Sequence, residues 1–295
     1  MVNSVHKGNL IGIGALILWG TLVALIKSVS EAFGLAGGTA LIYTIGAIAG
    51  FILNGIPKIS LMPKKYLFLA GSVFVLYEIV FSQAIAVSES SVQTLEVGMI
   101  NYLWPCLTVL FSIWINGVKM RPIVWPGVII TVCGLYLCAA ANSELNFFNF
   151  INNLAASPVP YILGLAAAVT WGLYSNLSVR YSSGANGVPL FFAAVAVFLW
   201  IKFFIGENQL YFPGIWSFVQ LIFLGIVLSL SYVMWEKGIH EGNFIFLAVC
   251  SYFTPALSML FASLWLKASP PFEYWIGVGL VIIGSLVCWL ANYKR

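Results

Sequence analysis

Charge is what this chain has least of. Of its 295 residues only 7% are Asp, Glu, Lys or Arg, against 61% hydrophobic. A soluble domain carries roughly 25% charged residues, so an ordinary water-soluble globule is excluded. Histidine is scarce too: His6 and His240 are the two present, and neither has a partner at metal-ligand spacing. The five cysteines, Cys106, Cys133, Cys138, Cys250 and Cys288, lie in apolar segments and form no CxxC or Cys/His pattern. They read as small buried side chains, and neither a metal nor a cofactor is implied. No GxSxG with a His partner, no HExxH and no acidic metal cluster occur, which argues against an intramembrane enzyme. The net charge of +4 does not point to nucleic acid, because no basic stripe interleaved with aromatics lies on a polar surface.

What the chain has in abundance is long apolar runs. A bilayer-crossing helix needs about 20 apolar residues. Runs bounded by charges, Pro, Gly and Asn give ten of them: 9–30, 35–54, 66–86, 92–116 and 121–141, then 158–181, 187–206, 214–236, 243–266 and 272–293, with a polar stretch at 142–157. The first run is too long for the apolar core of a signal peptide and no cleavage site follows it, so it reads as an uncleaved helix. The fold expected is therefore an all-α integral membrane protein of ten transmembrane helices. Loop charges set its orientation. With the N-terminus in the cytoplasm, Lys7, Lys58, Lys64, Lys65, Lys119, Arg121, Arg180, Lys237, Lys294 and Arg295 fall inside, and Lys27, Lys202 and Lys267 outside. Both termini are thus expected to be cytoplasmic, with Glu144 in an outer loop.

The chain also repeats itself. Trp19-Gly20 matches Trp171-Gly172, Tyr102-Leu-Trp-Pro105 matches Tyr252-Phe-Thr-Pro255, and Trp125, Gly127 and Gly134 match Trp275, Gly277 and Gly284. The separations are 152, 150 and 150 positions, in the same order. Two units follow, 1–145 and 146–295, with five spans each. An odd number of spans turns the second unit upside down, so these are inverted repeats. Inverted repeats are a construction of secondary transporters, with the site near the midplane between the units.

Polar residues deep in the spans are few. Glu78 lies roughly 18 Å into the third span at about 1.5 Å per residue, near mid-membrane, where an acid is a functional hypothesis by default. A carboxyl kept protonated, or bonded to a neighbouring helix for packing alone, is the alternative. Phe81, Ser82 and Ile85 share its helix face. Glu96, about a turn inside the fourth span, reads as structural, and Glu89, Glu236 and Glu241 read as solvated groups near the interfaces. Pro105 and Pro255 each remove a backbone donor and clash with the carbonyl four residues back. Two kinks at matched positions point to a shared cavity that receives the freed carbonyls, although a packing kink gives the same signature. Tyr102, Trp104, Trp171, Tyr174 and Tyr252 could line that cavity, and such walls suit flat aromatic groups or organic cations. Aromatics also gather in interfacial belts, as Trp275, Trp289 and Tyr293 are expected to. Gly46 and Gly50 form a GxxxG packing device, and the Gly127/Gly134 and Gly277/Gly284 pairs are expected to let helices approach within each unit.

Several runs carry a resemblance. Glu96-Val-Gly-Met-Ile-Asn-Tyr-Leu-Trp-Pro105, Tyr77-Glu78 and Ser251-Tyr-Phe-Thr-Pro255 resemble the aromatic amino acid exporters of the drug/metabolite transporter (EamA) superfamily. Val29-Ser30-Glu31 with Ala32 to Gly38, Ile151-Asn-Asn153 before Ser157-Pro158, and Cys288-Trp-Leu290 extend the likeness over essentially the whole chain. The resemblance implies two inverted five-helix repeats in the bacterial inner membrane. It implies efflux of phenylalanine, tyrosine and tryptophan by alternating access, and in some relatives export of the dication methyl viologen. It places a substrate cavity between spans 3, 4 and 6, which on this chain gives Phe81, Ser82, Ile85, Tyr102, Trp104, Pro105 and Trp171. Glu78 and Tyr252 join them from the reading of the residues themselves. The resemblance implies that some relatives are more polar or aromatic where this chain has Phe81, Ser82 and Ile85, so cargo preference is open to difference here. Monomer or oligomer is left open.

Overall fold

A computed structural model describes residues 2–119, 121–140, 147–206, 208–265 and 272–292. The regular structure described is helical. It runs α1 (Val2–Phe33), α2 (Leu35–Asn54), a 3-10 turn (Ile59–Leu61), a π-helical turn (Tyr66–Ala70) leading into α3 (Gly71–Ala86), α4 (Ser91–Asn101), α5 (Trp104–Asn116) and α6 (Val124–Ala140). After these come α7 (Phe147–Ala156), α8 (Val159–Tyr181), α9 (Val188–Ile205), α10 (Ile215–Glu241), α11 (Phe244–Cys250), α12 (Phe253–Trp265) and α13 (Phe272–Asn292). Five stretches, Leu35–Asn54, Tyr66–Ile85, Val159–Tyr181, Val188–Ile205 and Ile215–Glu241, are each long and apolar enough to cross a bilayer. Glu144, Lys267, Tyr293, Lys294 and Arg295 lie outside the described residues.

Two of the expected spans are broken rather than kinked. The run 92–116 is α4 and α5, parted at Tyr102-Leu103, and the run 243–266 is α11 and α12, parted at Ser251-Tyr252. Pro105 sits in the first turn of α5, where its missing N–H costs nothing. Short bonds close the breaks: Leu103 N–H donates to Ile100 O at 3.0 Å, and Tyr252 N–H to Val249 O at 3.2 Å.

The principal helix pairings recur when each helix of the first unit is exchanged for its counterpart about 150 residues on. Helix α1 lies along α10, and α8 along α3; α5 lies on α8, and α12 on α1; α2 lies along α9, and α6 along α13. Glycines show the same relation at atomic scale. A Cβ at Gly20 would lie 2.9 Å from Leu257 Cβ, and one at Gly172 would lie 3.1 Å from Thr108 N, beside Leu107. Leu257 and Leu107 are again 150 positions apart.

Some expectations fail. The glycine pairs do not serve helix approach within each unit. Gly134 of α6 lies against Gly277 O and Val281 N of α13, and Gly284 against Gly127 O and Thr131 N. They form the seam between the units, because sequence shows which residues are small but not which helix meets them. Gly46 and Gly50 are a packing site as expected, against Phe192 and Pro189 of α9 and Ser229 of α10. The polar stretch 142–157 holds the helix α7, whose Phe150 and Leu154 pack against Ala84, Val97 and Tyr161.

Several basic residues meet at one end of the bundle. Lys65 and Arg180 both lie over the Tyr181 ring, at 5.5 and 5.6 Å. Arg180 also donates to Ile115 O at the end of α5. Gly8 of α1 packs on Glu241 and Gly242, so the first turns of α1 lie at that end too.

Candidate functional site

The centre of the bundle is aromatic. Trp104 at the start of α5 meets Trp171 of α8 at 5.9 Å between ring centroids, edge to face. Trp19 of α1 touches both, at 6.3 and 5.6 Å, and Trp235 of α10 touches Trp19 and Trp104 at 5.2 and 5.7 Å. Tyr232 closes on Trp19 and Trp171 at 5.2 and 5.5 Å. Each tryptophan therefore comes from a different helix, two from each unit. The α4–α5 break delivers Trp104: the chain restarts as a helix at that residue and directs the ring inward.

The indole N–H groups of Trp19, Trp171 and Trp235 are buried with no hydrogen-bond partner among the described residues. A buried unpaired donor costs about 1–3 kcal/mol, so three in one ring cluster are an unusual concentration. Beside them stands Glu78, 4% exposed. Its Oε2 accepts from Tyr43 of α2 at 2.5 Å, Tyr232 turns its hydroxyl toward the same carboxyl, and Oε1 makes no hydrogen bond of good geometry. Tyr77 packs on Trp171 at 4.7 Å and stacks on Phe81 at 5.9 Å.

The expected site residues are therefore partly gathered. Glu78, Trp104 and Trp171 converge, with Phe81 joined through Tyr77. Ser82 is half-buried and spends its hydroxyl on Ile79 O at 2.9 Å. Ile85 belongs to the cluster around Tyr161 under α7. Tyr102 and Tyr252 lie in a neighbouring cluster with Leu135 of α6 and Val281 of α13, beside the tryptophans rather than among them. Pro105 is buried in the first turn of α5.

Glu96 is 1% exposed, held by Tyr161 O–H and by Asn153 Nδ2 at 3.2 and 3.3 Å. It ties α7 to α4 and α8, from the middle of α4 rather than from a first turn where it would face the helix dipole. Glu236 overturns the sequence reading. Far from being solvated, it is 1% exposed, because α10 continues past it to Glu241. It accepts from Tyr66 O–H at 2.8 Å, Tyr174 O–H at 2.8 Å and Ser178 O–H. The signal was available: Tyr232, Trp235, Glu236, Ile239 and His240 fall at i, i+3, i+4, i+7 and i+8, one face of one helix. Trp19 was equally legible as the repeat partner of Trp171.

Comparison with known proteins decides the family. The EamA-like transporter family matches twice, over residues 6–140 and 159–290. The chain belongs to the EamA-like transporter family. This EamA-like chain is a multi-pass membrane transporter of the drug/metabolite class, not an enzyme. It is 37% identical over 290 residues to the aromatic amino acid exporter YddG of Salmonella typhimurium (strain 14028s / SGSC 2262), covering 98% of this chain and 99% of the relative. It is 36% identical over 289 residues to the YddG exporter of Escherichia coli (strain K12), with the same coverage. A solved crystal structure at 26% identity superposes with a TM-score of 0.80 and 98% of each chain covered.

Proposed function

We propose that this carrier exports phenylalanine, tyrosine and tryptophan from the cytoplasm by alternating access through the tryptophan cluster. The observation that carries the reading is the set of indole donors from Trp19, Trp171 and Trp235, buried and unpaired, in a protein similar along its length to aromatic amino acid exporters. Ring faces and edges suit a flat side chain, indole N–H groups suit a carboxylate, and Glu78 suits an ammonium group. Ring contacts of 5.2 to 6.3 Å leave no gap for cargo between these rings, so binding goes with their separation. On this reading α4 with α5, and α11 with α12, count as one broken span each. Ten spans in two inverted units, 1–145 and 146–295, then enclose the cluster, and the exchangeable packing of the two units supports that count. The basic end faces the cytoplasm, with both termini there, in the bacterial inner membrane.

The test is phenylalanine counterflow in proteoliposomes. Trp104→Ala and Trp171→Ala are each expected to lower the rate at least tenfold, about 1.4 kcal/mol, the upper range of one aromatic contact. Wild-type rates in both variants, with unfolding transitions retained, would refute the assignment.

A second reading rests on Glu78. A buried carboxyl beside a cage of rings is also a counter-charge for flat organic cations. Methyl viologen should then compete with phenylalanine, and Glu78→Gln should abolish that competition. Competition that survives the substitution removes this reading.

A further inference from the structure

The polar cluster at the basic end takes no part in cargo recognition as described above. Glu236 is its hub. Tyr66, from the π-helical turn before α3, and Tyr174 and Ser178, from α8, all donate to its carboxylate. The Tyr66 oxygen meanwhile accepts from Gly187 N–H at 2.8 Å, just before α9. One carboxyl therefore joins the entrance of α3, the end of α8 and the end of α10, and through Tyr66 the start of α9.

His240, one turn further along α10, lies between this hub and the surface. Its side chain is 15% exposed against 1% for Glu236, and its Nε2 is 3.4 Å from Glu236 Oε1. The same nitrogen lies 3.1 Å from Ser178 Oγ and 2.9 Å from Ser182 Oγ. Other charged groups of this end are turned elsewhere. Lys65 and Arg180 lie over Tyr181, Lys237 pairs with Glu241 at 3.8 Å on the exposed face, and His6 and Lys7 of α1 are exposed. Tyr43 of α2 is committed to Glu78. Lys202 of α9 stands at the opposite end of its helix, and α11 brings Cys250 as its titratable group.

A carboxylate that only accepts holds these hydroxyls together; a protonated carboxyl must donate through one oxygen. Tyr66 already accepts from Gly187, which leaves it poorly placed to take a proton from the acid, so its bond weakens when the proton arrives there. Imidazole is the side chain suited to pass protons near neutral pH, and here it spans the step from water to the buried acid. We propose that Glu236 and His240 form a proton-binding site that latches the basic end of the bundle. Without the proton on Glu236 the ends of α3, α8 and α10 are held together; with it they part and the central cluster opens to that side. The proton comes from water through His240 and returns by the same path, with no covalent step. On the orientation proposed above that side is the cytoplasm, and the latch is independent of what the cargo is.

The test needs no cargo. Hydrogen exchange of the full chain in lipid nanodiscs, corrected for intrinsic pH effects, is followed over residues 182–188 and 236–242 between pH 5.5 and 8. Acid is expected to raise opening by roughly tenfold per pH unit at most, the limit for one proton. Glu236→Gln should flatten that dependence, and His240→Asn should flatten or displace it, while Glu241→Gln on the exposed face keeps the wild-type profile. If folded Glu236→Gln and His240→Asn both keep that profile, the proposal is overturned, even if exchange is faster at every pH. Should Glu236→Gln fail to fold, His240→Asn and Ser182→Ala decide it by the same criterion. Phenylalanine counterflow with pH varied on one side at a time then reports which face carries the latch. A latch confirmed by exchange beside absent phenylalanine transport would count against the cargo reading alone.

Discussion

The seam between α6 and α13 allows the sharpest test of how the two units are joined. An alanine at Gly284 would place its Cβ against Thr131 Oγ1, 2.5 Å from Gly127 O and 2.7 Å from Thr131 N. At Gly134 the Cβ would meet Gly277 O at 2.6 Å and Val281 N at 2.7 Å. Two of the neighbours in each case are backbone atoms, which cannot rotate away, so the helices must part by several tenths of an ångström. Overpacking of this kind costs about 1–3 kcal/mol, and rigid neighbours put these sites at the upper end. Replacing a helical glycine by alanine returns up to about 1 kcal/mol, which leaves a net loss of about 2 kcal/mol. Gly279, on the same helix, has nothing within 4 Å of its Cβ position among the described residues, so Gly279→Ala should be neutral or gain about 1 kcal/mol. The expected gap between Gly284→Ala and Gly279→Ala is thus about 2–3 kcal/mol, read from reversible unfolding in mixed micelles titrated with a denaturing detergent. Gly134 and Gly277 each block the other's carbonyl, so their double variant should lose less than the sum of the singles. If Gly284→Ala and Gly134→Ala unfold with Gly279→Ala, close backbone contact is not what joins these helices.

Two further outcomes follow from buried hydrogen bonds. Asn176 donates through Nδ2 to Thr108 O and Gly172 O, both at 2.9 Å, and its Oδ1 accepts from Asn116 at 2.7 Å. Asn176→Asp puts a carboxylate oxygen against two carbonyls and should destabilise more than Asn176→Ala, whose own cost is about 1–3 kcal/mol; equal unfolding midpoints would contradict this. Tyr161→Phe removes one of the donors that hold Glu96 beside Asn153, and amide exchange over residues 147–156 should accelerate while that of α2 does not change.

Much of the site was legible because a membrane makes polar residues conspicuous. Glu78 stood out as an acid in the middle of an apolar run, and the Pro105 and Pro255 motifs located both helix breaks. Glu236 was missed for the opposite reason. A charge near the end of an apolar run is read as the boundary of the span, yet here the helix carries on and neighbouring hydroxyls satisfy the acid. Tyr66, Ser178 and Gly187 come from three distant stretches, and nothing in their spacing announces that they meet. Tyr102 and Tyr252 show the complementary limit. They share a motif with the prolines, but which cluster a ring joins depends on how α6 and α13 close over the breaks, and that is settled by glycines elsewhere.

The paired glycines and the Trp19/Trp171 and Trp125/Trp275 pairs keep the roughly 150-residue relation, but the acids do not, nor do Trp104 and Trp235. The position matching Glu78 in the second unit is Leu228, and the position matching Glu236 in the first is Ala86. Frame and chemistry are thus separated. A frame whose two units pack alike can hold two arrangements of similar energy, one open to each side. Unpaired symmetry then becomes the means of choosing between them, since a polar group present on one side alone stabilises one arrangement alone. Tyr174 joins the two kinds of element in one residue. Its ring packs on Trp171 at 5.3 Å and on Phe74 at 4.9 Å, while its hydroxyl is 2.8 Å from Glu236. Hydrogen bonds weaken steeply once stretched or misaligned, so a separation of the rings wide enough to admit a flat molecule draws on the bond that holds the basic end shut. The aromatic centre and the polar latch are therefore mechanically linked through one side chain, without any need for a longer path.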